Sequence, residues 1–216
     1  MRVNIGCGAT PTDGWVNFDN SPSVLMSRWP FLVWALSTAR VMGEESCNLA
    51  RVASHKNIRF ANASKRIPLA TGSVDAVYSS HMIEHLDRRQ ARAFLVETRR
   101  ILRPGGIVRL AAPDLARQVE DYLATSDADA FIAGTHMSQG RPGGLVSRFR
   151  MALVGPRNHL WMYDGSSLAR LVHDTGFVNA RVMPAGVTAI AEPGSLDLAE
   201  RAEQSVYVEA RRSEDA

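Results

Sequence analysis

The sequence predicts an α/β fold: a doubly wound, mostly parallel sheet that finishes on an antiparallel carboxyl-terminal strand. Three observations carry this expectation. Short apolar strand-like runs alternate with segments of helical period along the chain. The first strand, Val3-Asn4-Ile5, runs directly into the glycine turn Gly6-Cys7-Gly8. Glycines let a backbone bend sharply and approach a ligand, because no Cβ intervenes. The second strand, Asn17-Phe18-Asp19, ends on a carboxylate, which can accept two hydroxyl hydrogen bonds at once and so suits a ribose diol. That is the layout of a nucleotide-type cofactor site at the carboxyl edge of a parallel sheet.

At 216 residues the chain suits one well-cored domain. Its expected span is 1–212, with 213–216 a short tail. A composition of 45% hydrophobic and 22% charged residues is ordinary for a globular protein. The net charge is only +3, and no Lys/Arg block is dense enough to track phosphates. Nucleic acid is therefore not an expected partner. Two cysteines, Cys7 and Cys47, are too few for a disulfide framework and read as reduced thiols. The chain enters a strand without a basic-then-apolar leader, so a cytoplasmic location is expected. The greasiest run, Pro30 to Val41, is too short to span a bilayer. It reads as a dimer face or as a hydrophobic wall for an acyl acceptor.

The elements follow in order. Only Ala9 to Trp15 separates the first two strands, too short for a connecting helix. A helix N-terminus beneath a cofactor therefore cannot be assumed. Residues 21–56 form a helical insert rich in Leu, Trp and Met, read either as core packing or as a lid that supplies the missing cofactor wall. A third strand is expected over Asn57 to Ala61, before the turn Asn62-Ala63-Ser64, and a fourth over Val74 to Tyr78. Ala91, Phe94, Leu95, Thr98 and Ile101 recur at helical spacing, which predicts a helix over Arg88 to Leu102 stopped by Pro104-Gly105-Gly106. Ile107 to Ala112 is a buried-type strand, and Leu115 to Ala124 a helix. Glycines at 134, 140, 143, 144 and 155 make 126–165 an expected loop region on the substrate side. A helix over Ser166 to Thr175, capped by Asp164 or Ser166, stops at Gly176. Val178 to Val182 and Ser205 to Ala210 close the sheet as a hairpin-like pair.

Five stretches now stand in one order: Asn4-Ile5-Gly6-Cys7-Gly8, Asp19, Asn62-Ala63, Ser73 through Leu86, and Leu102-Arg103-Pro104-Gly105-Gly106. On these the chain resembles the class I S-adenosylmethionine-dependent methyltransferases, which have a Rossmann-like sheet. The likeness covers most of Arg2 to Ala112 and continues more weakly through Leu168 to Phe177 and Ser205 to Ala210. It implies S-adenosylmethionine as cofactor. By position, Asn4, Gly6, Cys7 and Gly8 would lie against its methionine part and Asp19 would bind the ribose. Asn62 with Ala63 would face the adenine, and Ser79 and Ser80 would lie near the sulfonium. Two departures stand out: Asn4 occupies the place of a family acid, and Thr10 that of a third glycine.

His81-Met82-Ile83-Glu84-His85 also matches the zinc-peptidase pattern His-x-x-Glu-His. The same segment resembles the ubiquinone-pathway O-methyltransferases, whose Glu-x-x-Glu-His binds a divalent ion. By that resemblance His81, Glu84 and His85 are candidate ligands, although His81 makes the set less suited to magnesium than to another divalent metal. O-methylation needs a base near the hydroxyl, and His81, His85 and His159 are the candidates, with His136 behind them. Trp161 and Tyr163 could stack on a sugar, with Asp164 beside them. The segment and the carboxyl-terminal strand look like small methyltransferases of polysaccharide biosynthesis. The expected reaction is O-methylation of a saccharide or other small-molecule hydroxyl by a chain that pairs as a homodimer. The alternatives are a methyltransferase for a quinone, lipid or amine, a non-catalytic cofactor-binding protein, and a metallopeptidase.

Overall fold

The computed structural model describes residues 1–39, 41–138 and 158–214. Seven strands form one sheet: β1 (Arg2–Ile5), β2 (Val16–Asp19), β3 (Arg59–Phe60), β4 (Val74–Ser80), β5 (Leu102–Pro113), β6 (Phe177–Met183) and β7 (Ser205–Arg212). Their order is β3-β2-β1-β4-β5-β7-β6. The first five pair in parallel, and β7 runs antiparallel between β5 and β6. The chain starts at the centre of the sheet and works outward in both directions, so the carboxyl ends of β1 and β4 meet at a topological switch point. Ligands of open α/β sheets bind at such points.

The expected insert is helical, comprising α1 (Pro22–Met26), α2 (Pro30–Thr38) and α3 (Glu44–Lys56). Asn57 ends α3 in the left-handed region at φ 51°, which shortens β3 to two residues. Helix α4 (Arg88–Ile101) opens on a capping box, in which Asp87 and Gln90 exchange side-chain-to-backbone bonds. It stops earlier than expected, because Leu102 is already extended and begins β5. Pro104-Gly105-Gly106 falls inside that strand, where the register against β4 shifts between Val74 and Ala76. The triplet thus makes a bulge rather than a helix stop.

Helices α5 (Leu115–Thr125) and α6 (Ala128–Thr135) follow. The second corrects the expected loop: Asp127 caps it by accepting the Ala130 N–H at 2.9 Å. The glycines at 140, 143, 144 and 155 lie outside the described residues. Helix α7 (Gly165–His173) is capped by Asp164, with Ser167 completing the box.

Strand alternation sorts the core into two faces. Val3, Ile5, Val77, Val108 and Leu110 pack against Phe94 and Leu95 of α4 and Leu168 and Leu171 of α7. The opposite face carries Trp15, Ala76, Tyr78 and Ile107, covered by Ile190 and Leu196. Those two belong to residues 184–204, so β6 and β7 are joined by a long covering strap and not by a tight hairpin. A fully buried ion pair holds the strap. Arg109 meets Glu209 at 2.8 Å and donates to the carbonyls of Val187 and Leu198, while Glu209 accepts from Thr188 and the Ala189 N–H. Each partner is thereby multiply hydrogen-bonded, which a charge away from water requires.

Candidate active site

The glycine turn is held from two sides. Gly6 has φ +73°, and a Cβ there would lie 2.6 Å from Met82 Cγ, so only glycine fits. Gly8, at φ +51°, has open space beside it. Asp19 accepts the Gly8 N–H at 2.9 Å through one carboxylate oxygen and the Ser21 N–H at 2.8 Å through the other. Each oxygen keeps a further acceptor position. Cys7 is buried with Val24, Leu49, Ala53 and Ile58, and burial, reinforced by the Asp19 charge, pushes its thiol up to about 12. It is a packing residue with no accessible thiolate.

A cleft of about 380 Å³ opens at the switch point between the glycine turn and the end of β4. Asn4, Gly6, Thr12 and Ser80 line one side, and Ser195, Asp197 and Glu200 of the strap line the other. The described residues of the 21–56 insert do not line this cleft; Val24, Leu49 and Ala53 of the insert pack against Cys7 of the glycine turn. The strap covers that face of the sheet instead. Tyr78 reaches across to donate to Glu200 Oε2 at 3.0 Å. Asn4 donates to Thr12 Oγ1 at 3.0 Å, closing the short connection between β1 and β2 without a helix.

The next residue along β4 turns toward a different cleft. His81 has a left-handed φ of 46°, uncommon for a residue with a Cβ and a mark of functional ends of strands. Its Nε2 lies 2.9 Å from Ser205 Oγ. A single 3-10 turn, Ile83–His85, follows, so His81, Glu84 and His85 do not share a helix face. The peptidase arrangement is therefore not formed. Glu84 is 1% exposed, and neither carboxylate oxygen accepts a hydrogen bond. The imidazole nitrogens nearest it are His81 Nδ1 at 3.5 Å and His159 Nε2 at 4.0 Å. The ligand atoms of Glu84, His85 and His159 lie within 4.8 Å of one another. Among the described residues the converging set thus takes His159, from a distant segment, in place of His81.

His159 is placed by backbone bonds: its N–H donates to His136 and the next two N–H groups donate to Glu84 O. Its ring meets those of His85 and His136 edge-on at 5.0 and 5.3 Å. Burial lowers its pKa below 6.5, opposed by the Glu84 charge and helped by His85. His81, His136 and His159 line a second cleft of about 270 Å³ with Asp114, Gln118 and Glu203.

Other expected residues take structural places. Asn62 Oδ1 accepts from Ser64 Oγ at 2.8 Å, and Ala63 is in the core. Ser79 is buried, at 2% exposure. Trp161 is partly exposed, but the Arg88 guanidinium sits over its ring at 4.9 Å. Tyr163 is fully buried in the core, and the Asp164 carboxylate caps α7, so neither presents a group to a sugar. Sequence reasoning missed Asp197, Glu200 and the Arg109–Glu209 anchor. Charged residues inside the apolar runs Ile107 to Ala112 and Val206 to Ala210 were the available signal for the anchor.

Residues 30–110 match the methyltransferase domain family model. The match runs from α2 through most of β5, less than half of the chain, and leaves the glycine turn outside. The fold agrees. An S-adenosylmethionine-dependent methyltransferase from Thermotoga maritima, described as a possible histamine N-methyltransferase, is 15% identical with a TM-score of 0.51 over 99% of this chain and 82% of its own. Another from Methanosarcina mazei is 14% identical with a TM-score of 0.51, over 98% and 92%. Both likenesses are of fold. No curated protein sequence matches the chain. The first cleft suits a cationic small molecule such as S-adenosylmethionine: it is of small-molecule size, and carboxylates of Asp13, Asp197 and Glu200 line it.

Proposed function

We propose that the protein transfers a methyl group from S-adenosylmethionine to a hydroxyl of a small polyhydroxylated acceptor such as a saccharide, with His159 as the base. One observation carries the reading. Ser80 lines the first cleft and His81 the second, on successive residues whose Cα atoms are about 3.8 Å apart. A cofactor and an acceptor would thus meet across the end of β4.

Beside the glycine turn that lines the first cleft, Asp19 would take the ribose hydroxyls on its free acceptor positions. Asp197 and Glu200 would complement the positive charges, the part left open by Asn4. When bound, the cofactor supplies an electrophilic methyl on a sulfonium sulfur. The second cleft supports a polar acceptor, since Asp114, Gln118 and Glu203 offer oxygen atoms to hydroxyls. His159, neutral at physiological pH because burial lowers its pKa, would take the hydroxyl proton as the oxygen attacks. Labelled cofactor incubated with sugars, quinols and amines tests the reading. Methyl ethers on a sugar, lost in His159→Gln, are expected; transfer only to amines, or full activity in the variant, overturns it.

A second reading rests on the unpartnered Glu84 carboxylate. Glu84, His85 and His159 could hold a divalent ion. Two nitrogen donors and one oxygen suit zinc better than magnesium. Such an ion would act as a Lewis acid toward the acceptor oxygen. Equilibrium dialysis against zinc and magnesium separates the two readings: no retained metal leaves the histidine base alone.

A further inference from the structure

We propose that α2 seats the protein on an anionic lipid bilayer as a shallow interfacial anchor. No side chain of the helix is fully buried; Val33, Ala35 and Leu36 are half-buried on the side toward α3, and the rest stand exposed. Phe31, Trp34 and Trp29 are 78%, 63% and 59% exposed, Leu32 is exposed on the same helix, and Leu25 and Phe60 are exposed along the groove that holds Arg28. Monomeric proteins seldom show so many large apolar groups together.

The sequence Pro30 to Thr38 is apolar nearly all the way round, PFLVWALST, with Ser and Thr only at its end. A protein partner covers one side of a helix, whereas a hydrocarbon layer accepts every side. Nine residues rise about 13 Å, so the helix can enter one leaflet but not cross. No described helix is long and apolar enough to cross a membrane. The two tryptophans bracket the Phe31-Leu32-Val33 core, as amphipathic rings do at the headgroup boundary.

Charge points to the same occupant. From Asn20 to Gly43 the sequence has no acidic residue and two arginines. Arg28, two residues before α2, and Arg59, both exposed, line a groove between α1 and the end of α3 together with Leu25, His55, Ile58 and Phe60, and no carboxylate lines it. Cations rimming an apolar insert are what an anionic headgroup layer attracts.

The test uses the full chain with vesicles of phosphatidylcholine, with and without phosphatidylglycerol. Expected results are cosedimentation with the anionic vesicles and tryptophan quenching by brominated acyl chains. Phe31→Ser/Trp34→Ser should lower partitioning at least tenfold. Arg28→Glu/Arg59→Glu should remove the preference for phosphatidylglycerol. Neither pair should change the circular dichroism spectrum, since α2 supports none of the core. The proposal is overturned by absent vesicle binding, by binding that survives the Phe31/Trp34 change, or by a dimer that this change dissociates without any lipid binding.

Discussion

Asp19 accepts the backbone N–H of Gly8 at 2.9 Å, so the acid at the end of β2 also shapes the turn after β1. Replacing Asp19 by Ala should therefore do two things: remove two acceptors for the ribose and release the glycine turn. Each buried hydrogen bond to a charged group is worth about 1.5–3 kcal/mol, so cofactor affinity should fall at least about tenfold. Calorimetric titration with S-adenosylmethionine reads it, and unchanged affinity would count against the ribose role.

The burial of His159 sets a pH dependence. Its folded pKa lies below 6.5, so between the two values the unfolded chain binds more protons. Stability is then full above pH 6.5 and declines as pH falls below it. The acid limb of the rate profile should likewise lie below 6.5. His159→Gln should remove that limb and cost roughly a hundredfold or more in kcat. A limb that persists would assign the proton to another group.

Breaking the Arg109–Glu209 pair leaves one buried charge alone. Glu209→Gln or Arg109→Met should cost about 3–5 kcal/mol, near 10 °C in Tm for a chain of this size, measured by calorimetry. Protease cleavage should appear first within 184–204, because the strap loses its anchor.

Gly6→Ala meets Met82 and a φ of +73° together. It should destabilise by roughly 1–3 kcal/mol in urea unfolding. Adding Met82→Ala should restore only part of the loss, since it relieves the clash and not the backbone. Full rescue would show that packing alone demands the glycine.

Glu84→Gln separates a metal site from a plain buried acid. In metal-free protein it should raise Tm, because an unpartnered buried carboxylate is removed. It should also abolish zinc retention after dialysis. A variant that keeps its zinc would release Glu84 from the ligand set.

Much of the fold was legible because it is local. The turn after Ile5, the helical spacing from Ala91 to Ile101 and the cap at Asp164 each depend on residues close in sequence. The helix end at Ile101 and the bulge at Pro104 escaped, because register against β4 decides them. The site was legible where motifs run together, as at Gly6 and Glu84. His159 beside Glu84 and Glu200 beside Tyr78 are long-range meetings, without any period in the sequence to announce them. Tyr163 misled for a related reason: an aromatic in a polar stretch can still point into the core.

The strap has a consequence for how the molecule comes into being. Strands β1 to β5 leave the ribosome long before residues 195–200, and Glu209, which secures them, follows later still. The glycine turn and Ser80 are thus in place while one wall of the cleft is still unmade. A nascent chain holding only the parallel strands would have the glycine turn and the end of β4 but no closed cleft. A ligand that needs both walls of this cleft would therefore find its site only once residues 195–200 have folded over the sheet.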